Sequence, residues 1–529
     1  MVCSFQRVTY SMPVASRTPS QKNLEPLFRM ASTGDLDGLV KAYLEQEDLC
    51  RRDARGNNIL HYAAMNDQRA MARGIVAITV SEKLWTLKNK EGRTPIEVAT
   101  PRIKKDLMLI SRTHLKFADL HTALNNQLVE ERMNNPDENY KVLLSFDGGG
   151  IKAILEAAIL KAIEDELDEP LTNRIHWLAG TSCGGIISVC LGSVEGSTHA
   201  QKSFTAFLLI LKLPSNRAAK GVTPILPVTR AIRFERMYKG LSIEQCRRIF
   251  LSARYQTFCG NTHMFPKHNS RGIEDVLRQA LGSKTTMGDL KAQKVLVTAA
   301  KIKSAPPQLV LFRSYAPRVT AREYEKYGYM NPERILVWKA ARATSAAPVF
   351  FESFHGLADG AIFCNNPCIT MITDFFRLQK LERHKSIQND DKIGCIITIG
   401  SGVEPLLPLG GIDINLSSSP FALGKDFLNI FGKGKNLITL FMYQCTSSHA
   451  VSVGQAREWA HSLGIPYFRF SPRLTRAYDL DSTATDGIFD FWFETEVYLK
   501  TQAHQDIVNL CRLLKTMPAA GIQEYKEVD

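Results

Sequence analysis

Two glycine-rich turns, each lying between a strand-like run and a helix-like run, constrain the fold of this chain more than any other feature. The first turn is Asp147-Gly148-Gly149-Gly150-Ile151-Lys152, which follows the apolar run Val142–Phe146 and precedes apolar residues at helical spacing. The second turn is Gly180-Thr181-Ser182-Cys183-Gly184, which lies between Ile175–Ala179 and Ile186–Leu191. Later runs at Lys294–Ala300, Gln308–Phe312 and Lys392–Ile399 have the composition of further strands. The pattern predicts an α/β domain with a mostly parallel sheet covered by helices.

The second turn has the form of a nucleophile elbow. Gly180 and Gly184 stand two residues before and two after Ser182. Glycines at these positions let the backbone turn sharply without a side-chain clash, so that the serine hydroxyl is exposed at the sheet edge. Taken alone, this pattern is also consistent with a tight turn that carries a surface serine.

The first turn is suited to stabilising negative charge. Gly148, Gly149 and Gly150 expose main-chain N–H groups at a helix N-terminus, as an oxyanion hole requires. Lys152 lies where the helix dipole disfavours a cation, so it needs an acidic partner or an anionic ligand, unless its ammonium simply extends into water. A phosphate-binding loop is disfavoured, because the glycine spacing matches neither nucleotide-binding pattern.

A base for the serine is expected near Asp359. This aspartate begins the turn Asp359-Gly360-Ala361, after an apolar run and shortly before Asn365-Asn366-Pro367. A carboxylate held there could accept the serine proton if it lies within hydrogen-bond reach. An Asp-Gly pair alone is only a turn signal.

In this order, the three motifs resemble the signatures of the patatin-like phospholipases: a D-G-G-G-x-[RK] loop, a G-x-S-x-G elbow and a D-G-[AG] turn. The resemblance covers roughly residues 139–515 and implies a three-layer α/β/α hydrolase domain. It also implies a Ser182–Asp359 dyad, oxyanion donors at Gly148, Gly149 and Gly150, and support from Asp147, Lys152, Gly180, Gly184 and Gly360. The implied reaction is hydrolysis of a fatty-acyl ester of a glycerophospholipid, with no metal or other cofactor.

Three alternatives stay open at this point. A catalytic triad could use one of the later histidines, namely His384, His449, His461 or His504. The domain could be a catalytically silent scaffold. It could also hydrolyse neutral-lipid or acyl-CoA esters.

The N-terminal region carries an internal repeat within residues 25–110. Asp53-x-x-Gly56 and the residues after it align with Asn89-x-x-Gly92 and its successors, and both copies are similar to the ankyrin T-P-L-H-x-A core. We expect a short α-helical ankyrin-repeat domain that packs on the hydrolase, on a protein partner or on another copy of the chain. Ankyrin repeats before such a domain resemble the animal calcium-independent phospholipases A(2). We interpret residues 1–24 as a disordered tail, with a transit peptide as the alternative, residues 111–138 as a connecting helix and linker, and residues 516–529 as a C-terminal tail.

The positive charge of the chain is concentrated in residues 201–272, which contain 13 Lys or Arg against two acids. We interpret this segment as an insertion that docks on an anionic phospholipid membrane. Nucleic acid is disfavoured as a partner because no recognition motif accompanies the charge. Residues 421–443 are basic and apolar, as in a calmodulin target, but glycines interrupt them. Scattered cysteines and the lack of an 18-residue apolar run predict a cytoplasmic protein peripherally bound to membranes, with mitochondria as the alternative.

Overall fold

The computed structural model describes residues 24–112, 120–192, 242–258, 266–406, 440–448 and 451–520. Its chain divides into two compact units, one ending at Ser111 and the other beginning at Arg112. The predictions for residues 1–23, 193–241 and 521–529 concern segments outside the described residues, as does most of the prediction for the calmodulin-like segment 421–443. No described helix is long and apolar enough to cross a membrane.

The first unit consists of short helices joined by turns. These helices are α1 (Pro26–Thr33), α2 (Leu36–Leu44), α3 (Ile59–Met65), α4 (Arg69–Ile78), α5 (Pro95–Val98) and α6 (Pro101–Ile110). The two repeat copies fold alike: the Gly56 N–H donates to the Asp53 carbonyl, and the Gly92 N–H donates to the Asn89 carbonyl. A bond from the Lys90 N–H to the Arg55 carbonyl joins the two turns. The assignment of these helices to the ankyrin class stays a prediction.

The second unit is built on a seven-stranded sheet. Its strands are β1 (Tyr140–Phe146), β2 (Trp177–Gly180), β3 (Lys294–Lys301), β4 (Gln308–Arg313), β5 (Leu357–Asp359), β6 (Lys392–Ile399) and β7 (Tyr467–Phe470). The order is β4-β3-β2-β1-β6-β7, with β5 also paired to β3. Four neighbouring pairs are parallel, namely β3 with β2, β2 with β1, β1 with β6, and β6 with β7. The strands β4 and β5 both run antiparallel to β3.

Helices cover both faces of the sheet. They are α7 (Leu120–Asn134), α8 (Ala153–Leu167), α9 (Cys183–Leu191), α10 (Ile243–Thr257), α11 (Ser270–Leu281), α12 (Val337–Thr344), α13 (Cys368–His384), α14 (Val451–Ser462), α15 (Thr485–Thr501) and α16 (His504–Thr516). On β1, Val142, Leu144 and Phe146 face a core shared with α8 to α12, whereas Leu143 faces a second core shared with α13 and α14. The predicted three-layer α/β/α fold with a mostly parallel sheet is confirmed.

The described part of the basic segment differs from the surface that we predicted. Arg247 and Arg254 of α10 are buried rather than displayed to solvent. The Arg254 guanidinium donates to Thr483 and Thr485, and that of Arg247 lies over the Trp492 ring. These two cations therefore fasten α10 to the neighbouring α15 region, so the prediction of a basic docking face is wrong for them.

Candidate active site

The elbow at Ser182 has the strained geometry that its glycines allow. Ser182 has φ 55° and ψ −123°, a region that L-residues rarely adopt and that persists only where the surroundings enforce it. A Cβ on Gly180 would lie 2.1 Å from the Gly184 carbonyl oxygen, and one on Gly184 would lie 2.4 Å from that of Asp147. The Ser182 N–H donates to the Thr344 hydroxyl at 2.8 Å. The turn therefore presents the Ser182 hydroxyl at the end of β2.

Asp359 is brought to Ser182 by strand pairing. β5 lies antiparallel to β3, with Asp359 opposite Ala299, so the aspartate reaches the same edge of the sheet as the elbow. Its carboxylate accepts a hydrogen bond from the Ala361 N–H at 2.9 Å, and the Ser182 hydroxyl lies near enough to act on its pKa. Gly360 is required because a Cβ there would lie 2.1 Å from the Thr298 hydroxyl oxygen. Ser182 and Asp359 therefore line the same cavity.

The environment of Asp359 makes it a stronger base than an aspartate in water. Burial raises the pKa of Asp359 to about 7, although the nearby Ser182 hydroxyl and the hydrogen bond from Ala361 act to lower it. A general base is most effective when its pKa lies near the working pH, because a large fraction of it is then unprotonated and is still basic enough to take up a proton. The carboxylate is thus matched to proton transfer from Ser182 near neutrality.

The glycine loop lies beside Ser182, and its three amides are not equivalent. The Gly148 N–H donates to both the side-chain and the main-chain oxygen of Asn365, at 3.1 and 3.2 Å. The predicted oxyanion role of Gly148 is therefore not supported, because its donor is already used. The Gly149 N–H lies against the Cys183 thiol. Within the described part of the chain, neither Gly149 nor Gly150 donates its N–H to an oxygen atom, so these two remain the candidate donors.

The two charged residues of the glycine loop are both neutralised by partners far along the chain. Lys152 is buried and forms an ion pair with Glu404 at 2.7 Å, so the predicted need for an acidic partner is met. Asp147 accepts two hydrogen bonds from Arg469, on β7, and one from Asn366. Sequence reasoning missed Glu404, Arg469 and Thr344. Among the residues that contact the glycine loop, only Asn365 and Asn366 stood out in the sequence, through the Asn365-Asn366-Pro367 run.

An apolar cavity of about 1130 Å³, counting its open mouth, leads away from Ser182 and Asp359. Its walls come mainly from α9, α10 and α11. The lining includes Ile186, Cys190, Ile249, Phe250, Ala253, Ile273, Val276, Leu277, Ala280 and Leu281. No described histidine lines it. His384, His461 and His504 lie on helices elsewhere, and His449 is outside the described residues. None of the three described histidine candidates therefore lies at the cavity.

Comparisons with known proteins agree with this architecture. Residues 144–372 match the family model of the patatin-like phospholipases. The chain is 26% identical over 400 residues to the 85/88 kDa calcium-independent phospholipases A2 of rat and mouse, covering 74% of this chain and 43% of theirs. It is 25% identical over 378 residues to an intracellular phospholipase A2 of Caenorhabditis elegans, covering 70% of this chain and 29% of the worm protein. The chain thus spans less than half the length of these relatives.

The reactivity of Ser182 should depend on pH through Asp359. Since the carboxylate must be unprotonated to accept the serine proton, and its pKa is about 7, reactivity should be full above pH 8. It should fall roughly tenfold per pH unit below 7. The rate of Ser182 labelling by a fluorophosphonate probe between pH 5 and 9 measures this. A rate that stays flat down to pH 5 would rule out a base with this pKa.

Asp359→Asn should remove reactivity and yet stabilise the fold at alkaline pH. The folded-state pKa is raised, so the protonated carboxyl favours folding, and this contribution is lost as pH rises from about 4 through about 7. The asparagine side chain does not ionise in this pH range, so the variant lacks this loss of stability. From pH 5 to pH 8 the variant should gain on the order of 2 kcal/mol in unfolding free energy relative to the parent. Urea unfolding at both pH values tests this, with Ser182→Ala as the inactive control that keeps Asp359. Equal pH dependence in the parent and in Asp359→Asn would contradict it.

Proposed function

We propose that this chain, which contains a patatin-like phospholipase domain, is a lipid acyl hydrolase that cleaves fatty-acyl esters of glycerophospholipids as calcium-independent phospholipases A(2) do. The observation that carries the proposal is that Ser182 and the buried Asp359 line the same apolar cavity, with the serine close enough to act on the pKa of the carboxyl. A hydroxyl paired with a base is an acyl-transfer nucleophile, and an apolar cavity suits a fatty-acyl chain. The named relatives are consistent with this reaction class.

In the first half-reaction, the Ser182 oxygen attacks the ester carbonyl carbon while its proton moves to Asp359. The carbonyl oxygen becomes an oxyanion, for which the N–H groups of Gly149 and Gly150 are the available donors. Collapse of this intermediate breaks the ester bond and leaves an acyl-serine. The departing lysophospholipid oxygen takes the proton from Asp359.

In the second half-reaction, Asp359 accepts a proton from water as that water attacks the acyl-serine carbonyl. The same amides would hold the second oxyanion. Collapse releases the fatty acid, and the proton returns from Asp359 to Ser182. A single carboxylate thus acts as base and acid in each half-reaction, and no metal ion is required in any step.

The cavity favours a long acyl chain over a short one. The wall that α9, α10 and α11 provide is almost entirely apolar, so each methylene that enters leaves water at a gain of about 0.8 kcal/mol. Cys190 lines this cavity eight residues along the helix from Ser182. At 1.5 Å per residue that is about 12 Å away. The cavity therefore extends well beyond the reacting carbonyl.

A phospholipid membrane surface is the partner that we propose for this activity, because its substrates reside there. The basic segment 201–272 remains the candidate for docking on anionic lipid. Its proposed role depends on cations other than Arg247 and Arg254, which are buried. Repeat-mediated contact with a protein partner or a second copy of the chain also stays a proposal, as do calmodulin binding and a cytoplasmic location.

The proposed reaction predicts that the protein releases fatty acid and lysophospholipid from phosphatidylcholine vesicles in the presence of a calcium chelator. Ser182→Ala and Asp359→Asn should each reduce the rate by at least about 10³-fold while leaving the fold intact, because each removes one member of the dyad. Mass spectrometry of the products and circular dichroism of the variants measure both outcomes. A folded parent protein that neither hydrolyses vesicles nor reacts with a fluorophosphonate would favour the silent scaffold.

Cys190→Phe should shorten the acyl chain that the protein accepts. A ring at this position would fill the cavity about 12 Å from Ser182, so esters of long acyl chains should lose roughly tenfold or more in kcat/KM. Butyryl esters, which end before Cys190, should keep their rate. Cys190→Ala is the matched control, since it removes the thiol without filling the cavity. Equal losses on butyryl and palmitoyl esters would mean that the chain does not occupy this cavity.

A further inference from the structure

Arg469 forms an ion pair with the fully buried carboxylate of Asp147, the first residue of the glycine loop. Its Nη1 and Nη2 atoms donate to Oδ1 and Oδ2 of Asp147 at 3.0 and 2.6 Å, in the planar two-point geometry that arginine forms with carboxylates. The Asp147 side chain is 0% exposed. Burial opposes the charge on Arg469, yet the adjacent Asp147 carboxylate raises the pKa of Arg469 above its usual value.

This pair is anchored to segments that surround the site. Asn366 donates its side-chain N–H to Asp147 Oδ1 at 2.8 Å, and Arg469 Nη2 also donates to the Ser448 carbonyl at 2.7 Å. The Asp147 N–H donates to the Ile399 carbonyl at the end of β6. Asp147 is therefore held from three directions. Gly148, which follows it, is itself held by Asn365.

The Arg469–Asp147 pair belongs to a cluster of ionisable groups at the base of the glycine loop. The groups near the base of the loop are Asp147, Glu156, Lys152 and Arg469, together with the Cys183 thiol. Lys152 is balanced by Glu404. Within the described part of the chain, both carboxyl oxygens of Glu156 are buried without a hydrogen-bond partner, and burial raises the pKa of Glu156 well above its usual range. Asp147 is the acidic partner of Arg469.

We infer that Arg469 is a positioning residue for the proposed acyl transfer: through Asp147, it fixes the N–H groups of Gly149 and Gly150 and cancels a negative charge that would oppose the oxyanion. The inference rests on the proposed function. Arg469 does not line the cavity, so it acts on the transition state only through the loop. Its loss should therefore lower kcat and leave KM nearly unchanged.

The decisive variant is Arg469→Met, which leaves the Asp147 carboxylate buried without its cationic partner. The expected loss in kcat is about 10²–10³-fold, which is the typical loss when one oxyanion donor is removed. KM should stay within about threefold of the parent value. Arg469→Lys keeps the charge but cannot span both oxygens of Asp147. It should lose an intermediate amount, about tenfold. All rates are measured on phosphatidylcholine vesicles and normalised to the folded fraction from circular dichroism.

A matched control comes from another buried arginine–aspartate pair in the same unit. Arg313 donates from Nε and Nη2 to both oxygens of Asp374 at 2.9 and 2.7 Å, and neither residue lines the cavity. Arg313→Met likewise removes the cation from a buried carboxylate, so it should destabilise the fold for the same reason. It should lower the melting temperature as Arg469→Met does, yet keep kcat within about threefold of the parent.

The outcomes separate this inference from the proposed function. A parent protein that does not turn over phosphatidylcholine defeats the function itself. With an active parent, a folded Arg469→Met protein that keeps kcat within threefold overturns the inference, as does an equal loss of kcat in Arg313→Met. If Arg469→Met does not fold, Arg469→Lys decides: a parental kcat in that variant would show that the two-point contact with Asp147 is not needed.

Discussion

The approach of the Ser182 hydroxyl to the buried Asp359 carboxylate is the interaction on which the proposed chemistry depends. In water, an aspartate is too weak a base to activate a serine near neutral pH. Burial raises the pKa of Asp359 to about 7, so the same apolar surroundings that enclose a substrate chain also adjust the base. Exclusion of water from the cavity therefore has two effects: it favours binding of an apolar chain, and it makes Asp359 more basic.

The site is assembled at the ends of neighbouring strands and is held there at a cost in stability. Ser182 has a positive φ that a serine adopts only under constraint, and Asp359 is buried without an ion-pair partner within the described part of the chain. Compensation lies around the site. Glycines at positions 180, 184 and 360 leave no room for a Cβ, and the ion pairs Lys152–Glu404 and Arg469–Asp147 fix the loop that faces the nucleophile. Strain at the chemical centre is thus surrounded by rigid contacts, as is common in active sites.

Tertiary contacts changed the roles of several residues that the sequence had singled out. Gly148 has the same motif position as its neighbours, but its N–H is taken by Asn365, which lies 217 residues later in the chain. Arg247 and Arg254 belong to a strongly basic segment, but the helix that carries them turns them inward against α15. Local charge and local glycine content could not reveal either outcome, because both depend on which distant segment packs against them.

The sequence by itself determined the α/β class, the strand of each motif, the elbow at Ser182 and the turn at Asp359, since these depend on local periodicity and on where glycine is sterically required. Only the tertiary structure decided that Asp359 and Ser182 line one cavity, that Lys152 pairs with Glu404 and that Asp147 pairs with Arg469. It also decided the course of the apolar cavity between α9, α10 and α11. The physical reason is that strand order and helix packing bring together residues separated by between 177 and 322 positions, and no local pattern encodes those distances.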